Sequence, residues 1–349
     1  MPFLNIKNVS ITGLSACVPS EQDNIKDIYK WEGAENFMDS TGIYSRRNSG
    51  ESITSADLCY EAAVKLLNEL NWNRNEVEAV IFVSQTPDYI LPATSCILQQ
   101  RLGLSINCFT LDISLGCSGW VYALSVIASL MQNGSITKGL LLAGDTPVKF
   151  CSPDDKSSFP LFGDAGTATA LEYVKDESPL LFNFSTDGRG KDAIIIHDGG
   201  FRNPVNLKSF ENFETEDGIL RSKLDIELNG MDVFSFGISK APKSVKQLCE
   251  TYNIDIDSVD IFSFHQANLM MNEMIRKKLK LPKEKVPYSM NEFGNTSCAS
   301  IPLTLVTRER ERLNTSKQKL IACGFGVGLS WGSVYFETDR IVVPPLIEI

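Results

Sequence analysis

Three short apolar runs, VEAVIFVSQ, CFTLDIS and KGLLLAGD, are each closed by turn or polar residues and read as buried strands. Beside them the apolar period changes. In TSADLCYEAAVKLLNEL, Leu58, Ala62, Leu66 and Leu70 recur every fourth residue, which predicts a helix with one buried face. Thr54 and Asp57 stand where a capping box would start that helix. From Trp120 to Met131 the chain is apolar nearly all round, so this helix is predicted to be buried, with Gly134 as its stop. Strands alternating with helices imply an α/β fold.

The same elements return later. VEAVIFVSQTP resembles VDIFSFHQANL, and GLLLAGD resembles KLIACGFG. Sixty residues separate Ile81 from Leu141, and sixty separate Ile261 from Ile321. Equal spacing of like strands suggests two copies of one α/β unit. Between the copies, residues 187–223 are polar and aperiodic apart from the run AIIIH, and read as an insertion on the surface or over a site mouth.

Composition adds exclusions. The 349 residues carry a formal net charge of −10, which argues against a nucleic-acid partner while leaving room for an acidic protein on a local basic patch. Nine scattered cysteines with no CxxC pair indicate neither a disulfide framework nor a zinc site. No signal-peptide pattern is present, and the longest apolar stretch falls short of the ~20 residues a membrane span needs. A reducing cytoplasm is the expectation.

The chemistry gathers around Cys117. It sits in a Gly-Cys-Ser-Gly knot where the strand LDIS turns into the apolar helix. Gly116 and Gly119 permit a tight turn there. A sulfur at a helix N-terminus faces unpaired N–H groups, which predicts a lowered pKa and a usable thiolate. Of the two histidines, His265 ends the strand VDIFSF, where α/β folds place their sites, whereas His197 lies in the insertion and reads as a surface or strand-end residue. Asn295, in NEFGNTSCAS, is a turn residue or an amide donor aimed into a site. CGFGVGLSWG fails the GxGxxG dinucleotide pattern but can present a bare backbone N–H to an oxyanion.

With Cys117, HQAN and GNTS in that order, the sequence resembles the 3-oxoacyl-ACP synthase III family of thiolase-like condensing enzymes. LPATSCILQQRLGL, LFGDAGTATAL, ELNGMDVF and GFGVGLSWGS extend the likeness over nearly the whole chain. The resemblance implies a five-layer α-β-α-β-α thiolase-like fold of two tandem βαβαβαββ halves. Residues 1–174 would be the nucleophile half, 175–224 a connection near the site mouth, and 225–349 the half with His265 and Asn295. It implies a catalytic triad of Cys117, His265 and Asn295. The backbone N–H groups of Cys117 and Val327 would form the oxyanion hole. Leu91 would belong to an acyl pocket in the partner subunit. Gly230, Phe234 and Asn268 would bind pantetheine, and Arg276, Lys277 and Lys278 would dock an acidic acyl carrier protein (ACP).

The implied reaction is transfer of an acyl primer, delivered by CoA or ACP, to Cys117, followed by decarboxylative Claisen condensation with malonyl-ACP to 3-oxoacyl-ACP and CO2. The enzyme is expected to be a homodimer that uses no metal or cofactor beyond the CoA and ACP phosphopantetheine thioesters. Departures from the family pattern point to a specialised member: Asn36 and Ser40 replace a nucleotide-holding Trp and Arg, Met270 and Ser235 replace basic docking residues, and Leu91 replaces Phe. Type III polyketide-synthase-like and acyl-transferring relatives remain alternatives, as does a non-catalytic partner subunit. Hydroxymethylglutaryl-CoA synthase chemistry needs a glutamate where VSQTPDY offers Gln85 and Thr86, and a thiolase would need a second catalytic cysteine, for which Cys323 is the nearest candidate.

Overall fold

The computed structural model describes residues 1–28, 33–215 and 218–349. Two sheets carry it. The first runs, edge to edge, Ile347–Glu348, Val9–Val18, Ala165–Tyr173, Lys138–Asp145, Ala79–Val83 and Phe109–Ile113. The second runs Phe3–Ile6, Leu180–Thr186, Ser330–Thr338, Gln318–Gly326 and Ile261–Phe264. The spacing seen in the sequence matches one strand register and misses the other by one residue: Ile81 lies opposite Leu141 in one parallel pair, whereas Ile261 lies opposite Leu320, not Ile321, in the other.

Helices fill three layers around the sheets. Ser55–Glu69 covers the outer face of the first sheet. Gly230–Tyr252 and Leu269–Leu279 cover the outer face of the second. Gly119–Met131 and Ser300–Arg308 lie between the sheets, completing the α-β-α-β-α order. The periodicities explain the layers. Leu58, Ala62 and Leu66 are fully buried against the first sheet, and the Thr54–Asp57 capping box forms as predicted. In the central helix Trp120, Val121, Leu124 and Ile127 are all at 0% exposure, because sheets close on it from both sides.

Three features depart from the sequence reading. Phe109–Ile113 is an edge strand with half-exposed side chains, not a buried one, since no further strand covers it in the single chain. The sheets also ignore the 174/175 and 224/225 boundaries. Leu180–Thr186 is a central strand of the second sheet and pairs with the N-terminal Phe3–Ile6, while the C-terminal Ile347–Glu348 pairs with Val9–Val18 in the first. The halves therefore exchange their terminal strands, which are too short to carry a hydrophobic period. The insertion is not structureless: Ile194–Ile195 pairs with Glu227–Leu228, and Phe213–Glu214 with Leu220–Arg221, while Glu216 and Asp217 lie outside the described residues.

The central helix predicts its own test. Leu124→Ala removes a fully buried side chain held between two sheets and is expected to destabilise the fold by about 2–5 kcal/mol. Urea unfolding reads this as a lower midpoint at unchanged slope.

Candidate active site

Cys117 lies two residues before the central helix, and its neighbours explain the glycines around it. Gly116 and Gly119 are needed for space rather than for an unusual backbone angle. A Cβ on Gly116 would meet Gln85 and Val327, and one on Gly119 would lie 2.7 Å from Val83 Cγ2. Gly326 is equally constrained: a Cβ there would lie 2.7 Å from the Cys117 sulfur. The strand ending at Gly326 thus brings bare backbone against the nucleophile, and the next residue, Val327, points its N–H at the sulfur together with the N–H of Cys117 itself. Ser330 fixes this turn by donating to the Val327 carbonyl at 2.9 Å.

His265 follows the strand Ile261–Phe264 and is locked on all sides. Its N–H donates to the Cys323 carbonyl (2.9 Å), its carbonyl accepts from Asn272 (3.1 Å), and its Nδ1 lies 2.8 Å from Ser300 Oγ. Phe325 meets the ring edge-on at 5.5 Å between centroids. Asn295 is pinned through its backbone: its N–H donates to Leu161 and its carbonyl accepts from Gly163. The Ser297 N–H donates to Asn295 Oδ1 at 3.0 Å, which leaves the amide NH2 as the free end.

Cys117, His265, Asn295 and Ser297 line one cavity of about 90 Å³ whose other walls are mostly apolar. A second chamber of about 270 Å³ adjoins it through Gln85, Phe150, Ile194, Ile226 and Val327. Ile194 shows that the insertion supplies part of a wall of the site, as one of its two expected placements had it, and Ile226 and Leu228, just beyond it, continue that wall.

Burial sets the electrostatics, and it reverses one expectation. The Cys117 thiol is pushed up to about 11, mainly by desolvation; the Val327 and Cys117 N–H groups and Ser297 oppose the shift without cancelling it. The resting nucleophile is a thiol, not a thiolate. Desolvation also lowers His265 to about 3, so its imidazole is neutral at physiological pH.

The other expected residues divide. Gly230 and Asn268 line the cavity mouth, and Asn268 also caps Leu269–Leu279 by accepting from the Met271 N–H at 2.8 Å. Phe234 packs into the neighbouring core and is not a lining residue. Leu91 is 83% exposed and does not touch the cavity of its own chain. Arg276 is committed to Glu273 and to the Leu281 carbonyl, whereas Lys277 and Lys278 are exposed. His197 pairs with Glu227 at 3.2 Å in the insertion, and Cys323 is buried in its strand away from the cavity. Ser300 and Ser297, which orient His265 and Asn295, were not found from sequence; nothing in NTSCAS distinguishes one serine from another.

Family models described as 3-oxoacyl-[acyl-carrier-protein (ACP)] synthase III and its C-terminal part match residues 111–188 and 249–338. A beta-ketoacyl-[acyl-carrier-protein] synthase III of Clostridioides difficile (strain 630) is 33% identical, covering 93% of this chain and 96% of the relative. The protein of the same name from Rhodopirellula baltica is 30% identical over 95% of this chain and 99% of the relative. The crystal structure of a 3-oxoacyl-(acyl-carrier protein) synthase from Burkholderia xenovorans LB400 superposes with a TM-score of 0.93 at 37% identity, over 100% of this chain and 99% of that one.

The buried neutral histidine carries a pH signature. Its folded pKa lies below its unfolded value, so between about pH 6.5 and 3 the unfolded chain binds a proton that the folded chain refuses, and stability is lost as pH falls through that window. His265→Gln is expected to remove up to ~1.4 kcal/mol per pH unit from the acid limb of stability, read from urea midpoints at pH 6 and pH 4.

Proposed function

The chain belongs to the 3-oxoacyl-[acyl-carrier-protein] synthase III family of condensing enzymes, and on that premise we propose that Cys117, His265 and Asn295 join an acyl primer to malonyl-ACP as a specialised member of the family. The observation that carries this reading is the convergence of a thiol, a neutral imidazole and a carboxamide on one largely apolar cavity.

In the first half-reaction the Cys117 sulfur forms a bond to the primer carbonyl carbon and the thioester bond to CoA breaks. Charge on the carbonyl oxygen is met by the Cys117 and Val327 N–H groups. In the second, the malonyl thioester enters with its carbonyl oxygen toward His265 and Asn295. Ser300 Oγ lies 2.8 Å from Nδ1; when it donates its hydroxyl hydrogen there, the imidazole N–H is on Nε2 and is available to the substrate oxygen. As the C–C bond to the carboxylate breaks and CO2 leaves, enolate charge grows on that oxygen, and two neutral donors in a dry site stabilise it. A neutral imidazole suits this task, because it donates without placing a positive charge next to the carboxylate that must depart. The carbanion then attacks the acyl-Cys117 carbonyl, and the thiolate is released.

The primer occupies the adjoining chamber of about 270 Å³, whose walls Phe150, Ile194, Ile195, Ile196 and Ile226 favour an aliphatic chain longer than acetyl. ACP docks on the lysines of the last turn of Leu269–Leu279, the helix that Asn268 caps at the cavity. Lys277 and Lys278 serve this role and Arg276 does not, since its charge is spent on Glu273. Lys278 reaches across to the Ile238 carbonyl and borders a groove with Lys243 and Lys246, which widens the basic surface. The working form is a homodimer. The unpaired edge Phe109–Ile113 exposes Phe109 and Leu111, and Tyr89, Ile90 and Leu91 stand out from the loop after the neighbouring strand Ala79–Val83, a surface suited to a second copy.

Two measurements test the reading. Incubation with an acyl-CoA series, followed by mass spectrometry of the Cys117 peptide, is expected to show medium or branched acyl groups loaded ahead of acetyl; strict acetyl preference contradicts a specialised pocket. Reversing charge with Lys277→Glu and Lys278→Glu is expected to raise the KM for malonyl-ACP roughly 3- to 10-fold while leaving acyl-CoA loading of Cys117 unchanged.

A further inference from the structure

Asp145 is a buried carboxylate that the reaction as described does not use. It ends the strand Lys138–Asp145 at 1% exposure. Its Oδ1 is saturated, accepting from Ser84 Oγ (2.9 Å), the Gln85 N–H (2.7 Å), and the Thr86 N–H and Oγ1 (both 3.2 Å). Its Oδ2 is buried with no hydrogen bond formed. Burial raises the pKa of this carboxyl, and the nearby Ser297 hydroxyl and Cys298 thiol oppose the rise. Cys298 gives its hydrogen to the Val83 carbonyl at 3.3 Å, which leaves Ser297 as the group free to turn. Ser297 is a wall of the cavity, in contact with Cys117, and holds a left-handed backbone at φ +50° although it has a side chain. Such a conformation costs about 1–2 kcal/mol and persists where surrounding contacts fix it; here the Asn295 amide does so.

We propose that Ser297 and Asp145 hold the proton of Cys117 through the catalytic cycle: Ser297 Oγ takes it from the sulfur and passes its own hydroxyl proton to Asp145 Oδ2. This rests on the condensing reading above. As the sulfur electron pair forms the bond to the primer carbonyl, the S–H bond breaks and an O–H bond forms on Asp145; the CoA thiolate leaves and is protonated by solvent. When the malonyl carbanion expels Cys117 as a thiolate, the proton returns along the same path and Asp145 is a carboxylate again.

The physical reason is charge. A thiolate beside an ionised Asp145 would put two negative charges in one dry site, and each group opposes ionisation of the other. Moving the proton relocates a single negative charge instead of adding one. Three titratable groups near the pair are neutral: His265 is held down at about 3, while Cys59 and Cys298 are pushed well up by burial.

The test compares wild type, Ser297→Ala and Asp145→Asn. The asparagine keeps an oxygen for the Ser84, Gln85 and Thr86 donors. Iodoacetamide alkylation of the Cys117 peptide across pH 6–11 is expected to show a midpoint at least about one pH unit lower in Asp145→Asn, because the opposing charge is gone. Acyl-CoA loading of Cys117 at pH 7 is expected to fall about 10²-fold in Ser297→Ala and to recover by about tenfold per pH unit, since only preformed thiolate then reacts. Malonyl-ACP decarboxylation takes no proton from Cys117, and Ser297→Ala keeps the backbone N–H that holds Asn295, so it is expected to fall at least about tenfold less than loading does. An unchanged midpoint in Asp145→Asn overturns the proposal. So does wild-type loading in Ser297→Ala, or a parallel fall of loading and decarboxylation. If wild type is not loaded by any acyl-CoA, the condensing reading fails instead, and the alkylation midpoints still decide whether Cys117 and Asp145 share a proton.

Discussion

Everything in this molecule is arranged around one helix N-terminus that two sheets keep away from water. The helix Gly119–Met131 has almost no polar surface, so it is stable only where sheets cover both sides. That requirement calls for a second α/β unit packed against the first. Once the two units close, Cys117 at the helix tip comes within reach of His265 and Asn295, which the second unit supplies. The cavity is thus a by-product of burying the helix, and the residues that react are those left at the seam.

Dryness also fixes the electrical character of the site. Desolvation drives the thiol up and the imidazole down, so the resting site holds neutral donors and a neutral nucleophile around a single buried carboxylate. Negative charge appears only in transit, on an oxyanion, an enolate or a leaving thiolate. Fixed backbone N–H groups and a pinned carboxamide can meet such charge without reorganising. A site exposed to water would stabilise these intermediates less selectively and would let the carbanion be protonated before it found the acyl group.

Much of this was legible in the chain. The apolar helix and the Gly-Cys-Ser-Gly knot are local patterns, and each became an element or a junction, while the sixty-residue spacing gave one strand register and came within a residue of the other. The capping box at Thr54 did the same. Long-range consequences of packing were not legible. The exchange of terminal strands rests on pieces of two to four residues with no period of their own. The thiol's protonation state follows from what covers the helix tip, which the dipole argument leaves out. Ser300, Ser297 and Asp145 are polar residues like dozens of others until folding places them behind His265, Asn295 and Cys117. Phe234 and Arg276 illustrate the reverse: their motifs matched, but packing gave one to a hydrophobic core and the other to Glu273.

The central claim is that one cavity both holds the acyl group and generates the carbanion that takes it. A single-turnover reaction tests this most directly. Enzyme isolated with Cys117 already acylated is mixed with malonyl-ACP labelled with 13C at its methylene carbon, and the products are weighed. The account predicts one labelled 3-oxoacyl-ACP for each acyl-Cys117 consumed. Labelled acetyl-ACP formed while the acyl group stays on Cys117, or the acyl group recovered on ACP with no new carbon–carbon bond, would contradict it.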